Sequence, residues 1–265
     1  MAEAVEARTG TAVVAASARF ADRVPIGELG GRAGETLASA VARVLRERGR
    51  PHHFVILPAF LGPSDTLRTL VPDFFRGLGG GGGVTYTVSR HLVVPGDDRV
   101  ALAMERGVRE ALATHALAPE ATAVVLCDHG SPHADVGAVR GIVARQLEGV
   151  LEDGAALGGH LRAPLAQASM ERREGAAYDF NDPLLEKLLR TPPYNAGTVV
   201  LALLFLSPGT HAGPGGDIDQ IVQAAVEEAA QAGRELRVYK TELLGSRVAE
   251  VLADRLRESL AALSV

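Results

Sequence analysis

The chain has 265 residues, 47% of them hydrophobic and 22% charged, a composition that suits a globular protein with room for two domains. A formal charge of −5 without any run of Lys or Arg lacks the basic footprint that nucleic acid or an anionic membrane surface demands. The single cysteine, Cys127, excludes an intramolecular disulfide and a cysteine-based zinc cluster. It suits a reducing compartment, so the cytoplasm is the expected location. The apolar stretch Thr11 to Ala18 follows Glu3 and Glu6 rather than a basic segment, which argues against a signal peptide.

Taken in chain order, strands are predicted at Ala12 to Ala16, His53 to Leu57, Val84 to Val88, Ala123 to Cys127, Leu165 to Ser169, Val199 to Leu206 and Leu236 to Thr241. Helices are predicted at Glu35 to Glu47, Leu67 to Arg76, Arg99 to His115, Asp135 to Leu151, Pro183 to Arg190, Asp217 to Ala232 and Arg247 to Ala262. The longest apolar run, Val199 to Leu206, is eight residues. That is far short of the roughly 20 needed to cross a bilayer and reads as a strand buried on both faces. The alternation of strands and helices predicts an α/β fold with parallel sheets flanked by helices. Pro119 and the small residues around it place a domain boundary near Ala118 to Thr122, giving domains at 1–118 and 119–265. The glycine-rich run Gly77 to Gly83 contains G-x-G-x-x-G, but it follows a helix and precedes a strand, the reverse of a dinucleotide-binding loop.

The two halves resemble each other. Phe60 to Thr66 aligns with Phe205 to His211, and Arg99 to Leu112 aligns with Arg247 to Leu260 with six identities in fourteen positions. On this register Thr66 stands opposite His211. A looser match puts Arg19 opposite Glu171 and makes Ala12 to Ala16 the counterpart of Leu165 to Ser169. The chain therefore reads as a duplicated α/β unit whose chemistry belongs to the second half. Nothing upstream matches the strand and helix at 123–151, so the first domain is expected to lack its opening βα unit. An exposed sheet edge is a pairing liability, so a homodimer is a candidate state.

Two histidines follow strands in the second half. Val124 to Cys127 leads through Asp128 to His129, Gly130 and Ser131, and Val199 to Leu206 leads through Ser207, Pro208 and Gly209 to His211. In open α/β sheets ligands bind beyond the carboxyl ends of the strands, so both imidazoles are predicted to share one mouth. Glu171 leaves the intervening strand, with Glu174 as the alternative carboxylate. Two neutral imidazoles and a carboxylate suit a first-row divalent ion and leave coordination positions open. Ser131 lies in no G-x-S-x-G elbow, which disfavours a hydrolase.

The His129-Gly130-Ser131 tip, the Phe205 to His211 loop with Asp217-Ile218 after it, and Glu242-Leu243-Leu244-Gly245 together resemble the sirohydrochlorin chelatases of the CbiX/SirB type, among the class II chelatases. The likeness spans essentially the whole chain. Arg23-Val24-Pro25, Glu28 to Gly31 and Leu57 to Ser64 are similar to the degenerate first repeat of long members. The resemblance implies two flavodoxin-like, class II chelatase-like domains with the active site in a cleft between them. It implies insertion of Co2+ or Fe2+ into sirohydrochlorin, in cobalamin or siroheme biosynthesis, with the metal as substrate and no organic cofactor. His129 and His211 are then metal ligands and bases, with Glu171 as third ligand or proton acceptor. Because the macrocycle is a polycarboxylate, basic residues are expected at the rim. Arg140 and Arg172, with Ser131 and Gly209, are the expected tetrapyrrole-binding residues, and Arg162 and Arg173 are further candidates. A non-catalytic metal or tetrapyrrole carrier of the same fold is the alternative.

Overall fold

The computed structural model describes residues 1–29, 31, 33–78, 83–152 and 160–264. Most of the glycine run expected as a loop at 77–83, and Gly30 of the first-repeat motif, lie outside the described residues. The first half of the chain runs α1 (Ala2–Thr9), α2 (Leu37–Arg48), β1 (His52–Ile56), α3 (Val71–Gly77), β2 (Val84–Val88) and α4 (Arg99–Thr114). The second runs β3 (Thr122–Asp128), α5 (Ala134–Glu152), β4 (Ala166–Ser169), α6 (Leu185–Leu188), β5 (Gly197–Leu203), α7 (Asp217–Gln231), β6 (Leu236–Lys240) and α8 (Ala249–Leu263). Both sheets are parallel: β1 pairs with β2, and the second sheet has the order β4-β3-β5-β6.

The chain packs as two compact units, Met1–Leu92 with Ala249–Val265, and Val93–Val248. This division differs from the expected one at residue 118. Helix α4 lies with the second sheet, packed against β5 and α5, and α8 lies with the first, against α1 and β1. These are the two helices whose sequences match each other, so the duplicated helices are exchanged relative to chain order. Apolar periodicity announces that such a helix has a buried face, but it carries no information on which sheet receives that face.

In the first unit Val41, Val71 and Phe75 form a small core with Phe54, Ile56 and Tyr86 packed on it, and Phe75 stacks on Tyr86 with centroids 4.3 Å apart. Thr36 and Ser39 close a reciprocal capping box that starts α2. The expected strand at Ala12 to Ala16 does not form. Those residues are largely exposed coil, and the Val13 amide donates to the Glu6 carboxylate at 3.0 Å. The only nearby pairing among the described residues is an isolated bridge between Ser17 and Thr36. A strand needs a partner ladder, and none is offered there. Since the segment after β1 matches the segment after β5, β1 and β2 correspond to β5 and β6. Among the described residues the first unit thus lacks the opening βα unit, as expected, and the following strand as well. Helix α1, absent from the sequence reading, is an Ala- and Glu-rich stretch ended by Gly10 at φ 68°, whose amide bonds the Glu6 carbonyl.

The second unit holds the larger core. Strand β3 is buried on both faces from Thr122 to Cys127, as is β5 from Thr198 to Leu203, as expected for central parallel strands between helix layers. Among the described residues no helix is long and apolar enough to cross a membrane.

Candidate metal centre

The order β4-β3-β5-β6 fixes the site. From β3 the chain proceeds to β4 on one side, and from β5 to β6 on the other, so the connections diverge between β3 and β5. A crevice opens at such a divergence, beyond the carboxyl ends of the strands. His129 follows the last residue of β3, and His211 lies in the loop that leaves β5. Their rings meet at a centroid distance of 4.6 Å and an interplanar angle of 76°. The structure thus brings together two residues 82 positions apart in the chain, from 129 to 211.

Glu171 joins them through β4. Beyond the formal ends of β3 and β4 the ladder continues, with the Met170 amide bonding the Asp128 carbonyl at 2.8 Å and the Glu171 amide bonding the His129 carbonyl at 3.1 Å. The Glu171 carboxylate then faces His129, Oε1 to Nε2, at 3.5 Å. Gly130 permits this approach. It has φ +91°, and a Cβ there would lie 2.0 Å from the Glu171 carbonyl oxygen, so only glycine fits.

Each imidazole is oriented from its other nitrogen. His129 Nδ1 lies 3.1 Å from the Gly130 carbonyl. A carbonyl only accepts, so Nδ1 carries the proton and Nε2 points toward Glu171. His211 Nδ1 lies 2.5 Å from Asp217 Oδ2. Two donors each about 2.1 Å from a tetrahedral ion lie roughly 3.4 Å apart, close to the 3.5 Å between His129 and Glu171. The arrangement is open, however. Among the described residues no group of three or more His, Cys, Asp or Glu side chains is arranged to hold a metal ion on its own. The expected trio of His129, His211 and Glu171 exists as an imidazole pair with a carboxylate on one member, and water or a ligand would complete the shell.

Beneath the tip sits a buried polar cluster that the sequence did not reveal. Arg140, on α5, is only 4% exposed. Its guanidinium donates to Asp128 Oδ1 at 3.2 Å, to the Asn181 and Phe180 carbonyls at 3.1 and 2.9 Å, to Gln167 and to Ser169 Oγ. Its expected role at the rim is therefore corrected: every guanidinium nitrogen has a protein acceptor, and the side chain braces β3, β4 and the turn at 176–181. Burial pushes the Asp128 carboxyl above its ordinary range, against the pull of Arg140 and the Ser169 hydroxyl. Fully buried Asn181 clasps the His129 loop, its amide pairing with the Ser131 amide and carbonyl at 2.9 and 3.0 Å.

The other expected residues divide. Ser131 stays in the loop beside His129, with its hydroxyl accepting from the His133 amide at 3.0 Å. Gly209 takes φ +140° in the His211 loop, a conformation that side chains disfavour. Arg172 is tied to Asp179 at 2.7 Å and to Asp182, so it braces its own loop rather than standing free for a carboxylate ligand. Arg162 donates to the carbonyls of Pro193, Ala196 and Thr198 at the opposite, amino-terminal end of β3 and β5, remote from the histidines. Arg173 is exposed, 5.9 Å from the Tyr178 ring centroid. Of the two candidate carboxylates, Glu171 is the one placed against an imidazole. Asp217 is the residue that sequence reasoning passed over. It enters the sequence reading as the opening of a helix and as part of the motif after the His211 loop, with no role of its own, although a carboxylate in a first helical turn beyond a histidine loop is a cue to a histidine partner.

Comparison with solved structures identifies the fold. The chain is similar over 97% of its length, and 88% of the other chain, to CbiX, described as the terminal enzyme for biosynthesis of siroheme in denitrifying bacteria, with a TM-score of 0.55 at 16% identity. A second solved structure, DR2241 from Deinococcus radiodurans, is a multi-domain protein with structural similarity to chelatases. The match covers 78% of this chain and 40% of that one, at 17% identity and a TM-score of 0.47. No protein-family model matches the sequence, and no curated protein matches it. The chain has the mixed α/β, chelatase-like fold of CbiX, with parallel sheets flanked by helices.

Proposed function

We propose that this protein is a chelatase that inserts a divalent metal, Co2+ or Fe2+, into sirohydrochlorin, a step toward cobalamin or siroheme. The observation that carries the reading is the convergence of the His129 and His211 rings, 4.6 Å apart, at the point where the strand order diverges, with Glu171 against His129. The fold shared with CbiX supports it. In this reading the ion and the macrocycle are both substrates, and the protein supplies ligands and bases.

The geometry suits transfer rather than storage. Two imidazole Nε2 atoms and one carboxylate attract a divalent ion, but with no closed cage the ion keeps exchangeable positions for the macrocycle nitrogens. Metallation releases two pyrrole N–H protons. Near neutral pH a neutral imidazole accepts a proton readily, and Glu171 beside His129 provides a second acceptor. Of the four arginines expected at the rim, Arg173, exposed on the loop after β4, is the one left to meet a substrate carboxylate.

The test is an absorbance time course of sirohydrochlorin with Co2+ or Fe2+. The native protein is expected to metallate many equivalents of macrocycle, whereas His129→Ala and His211→Ala, with folding retained, lose the catalysed change. A plateau at one product per protein would establish a carrier instead, and undiminished turnover in both variants would refute the assignment.

A further inference from the structure

We propose that Asp217 is a positioning residue that holds His211 as its Nδ1–H tautomer, so that Nε2 is the nitrogen offered beside His129. A carboxylate only accepts hydrogen bonds. With Oδ2 2.5 Å from His211 Nδ1, the shared proton belongs on Nδ1. The ring is thereby held in both rotation and tautomer, the two properties that a histidine partner sets.

The backbone places Asp217 independently of this bond. The Ile218 amide donates to the His211 carbonyl at 3.1 Å. A Cβ on Gly216 would lie 2.4 Å from the Thr210 carbonyl oxygen and 2.7 Å from that of His211. The start of α7 is therefore seated on the His211 backbone by contacts that the Asp217 side chain does not make, and removing the carboxylate releases the ring and leaves the loop. Asp219, the other acid of the first turn, is engaged by Lys240 and accepts from the Gly215 amide at 2.8 Å.

The consequence for metal binding rests on the proposed chelatase role, while the tautomer does not, and the test separates them. Long-range proton–nitrogen correlation spectra of metal-free, nitrogen-15-labelled protein are expected to show His211 protonated at Nδ1. In Asp217→Ala the ring moves toward the Nε2–H form. Asp217→Ser, which keeps a polar helix start but is too short to reach the ring, does the same. Titration with Co2+ alone, followed by its visible absorption, is expected to show affinity lowered about 10- to 100-fold in both variants. An Nε2–H tautomer in the native protein, or an unchanged Nδ1–H tautomer in either folded variant, overturns the assignment. Failure of the native protein to bind Co2+ would count against the chelatase reading while leaving the tautomer result to decide the role of Asp217.

Discussion

Gly130→Ala probes the contact that seats Glu171 beside His129. The glycine has φ +91°, and an added methyl would lie 2.0 Å from the Glu171 carbonyl oxygen. That neighbour is backbone, locked by the 3.1 Å bond from its own amide to the His129 carbonyl, so it cannot swing away as a side-chain tip would. A non-glycine residue in a sparsely populated backbone region costs about 1–3 kcal/mol, and overpacking adds about 1–3 kcal/mol. Allowing for relaxation, the expected loss is about 2–5 kcal/mol, a large share of the roughly 5–15 kcal/mol that holds a protein folded. Urea or thermal unfolding measures it, with a fall of roughly 5–15 °C in Tm. Gly149→Ala is the control. It lies inside α5, where an added methyl meets nothing within 4 Å, and replacing it stabilises by about 0.5–1 kcal/mol. The methyl at position 130 also parts the two loops, so Co2+ binding is expected to weaken in Gly130→Ala and not in Gly149→Ala. A Gly130→Ala protein within about 0.5 kcal/mol of the native stability, the scatter of neutral surface changes, would refute the claim that the loops are locked there.

Arg140→Ala is expected to cost about 3–5 kcal/mol, because it leaves the Asp128 carboxylate buried without its cation. The cost depends on pH. The folded Asp128 carboxyl already titrates above its ordinary range through burial, and Arg140 opposes that rise, so the variant raises it further. Below about pH 4, the unfolded carboxyl range, Asp128 is neutral in both states and the cost is smallest. It grows to its full size as pH rises through the folded value, and urea midpoints across pH would show this; a cost independent of pH would contradict it. Glu171→Gln should weaken Co2+ binding at least about tenfold, the equivalent of about 1.4 kcal/mol, with the melting temperature nearly unchanged because the side chain is exposed. Cys127 is fully buried and burial pushes its thiol up, so a thiol reagent should modify it only as fast as the protein unfolds; rapid labelling of the native state would contradict the packing of β3.

The sequence carried the strands and helices of the second unit because their signals are local. A run such as Val124 to Cys127 is apolar at every position, and a strand buried on both faces requires that. The positions of His129 and His211 followed from where such runs end. Ala12 to Ala16 has strand-like composition too, but among the described residues no neighbouring strand offers it a ladder. Arg140 differs from its expected place at the rim because a guanidinium on a helix reads as surface until its five acceptors, drawn from other segments of the chain, are assembled around it.

What the amino-acid order determined by itself was therefore the α/β alternation, the duplication, and two histidines beyond the ends of central strands. Tertiary structure alone decided that the matching helices α4 and α8 exchange sheets, that Asp217 holds His211, and that Gly130 brings Glu171 to His129. The physical reason is range. Periodicity and propensity act over a few residues along the chain, whereas a carboxylate meets an imidazole, or a guanidinium its acceptors, only after distant segments have been packed side by side.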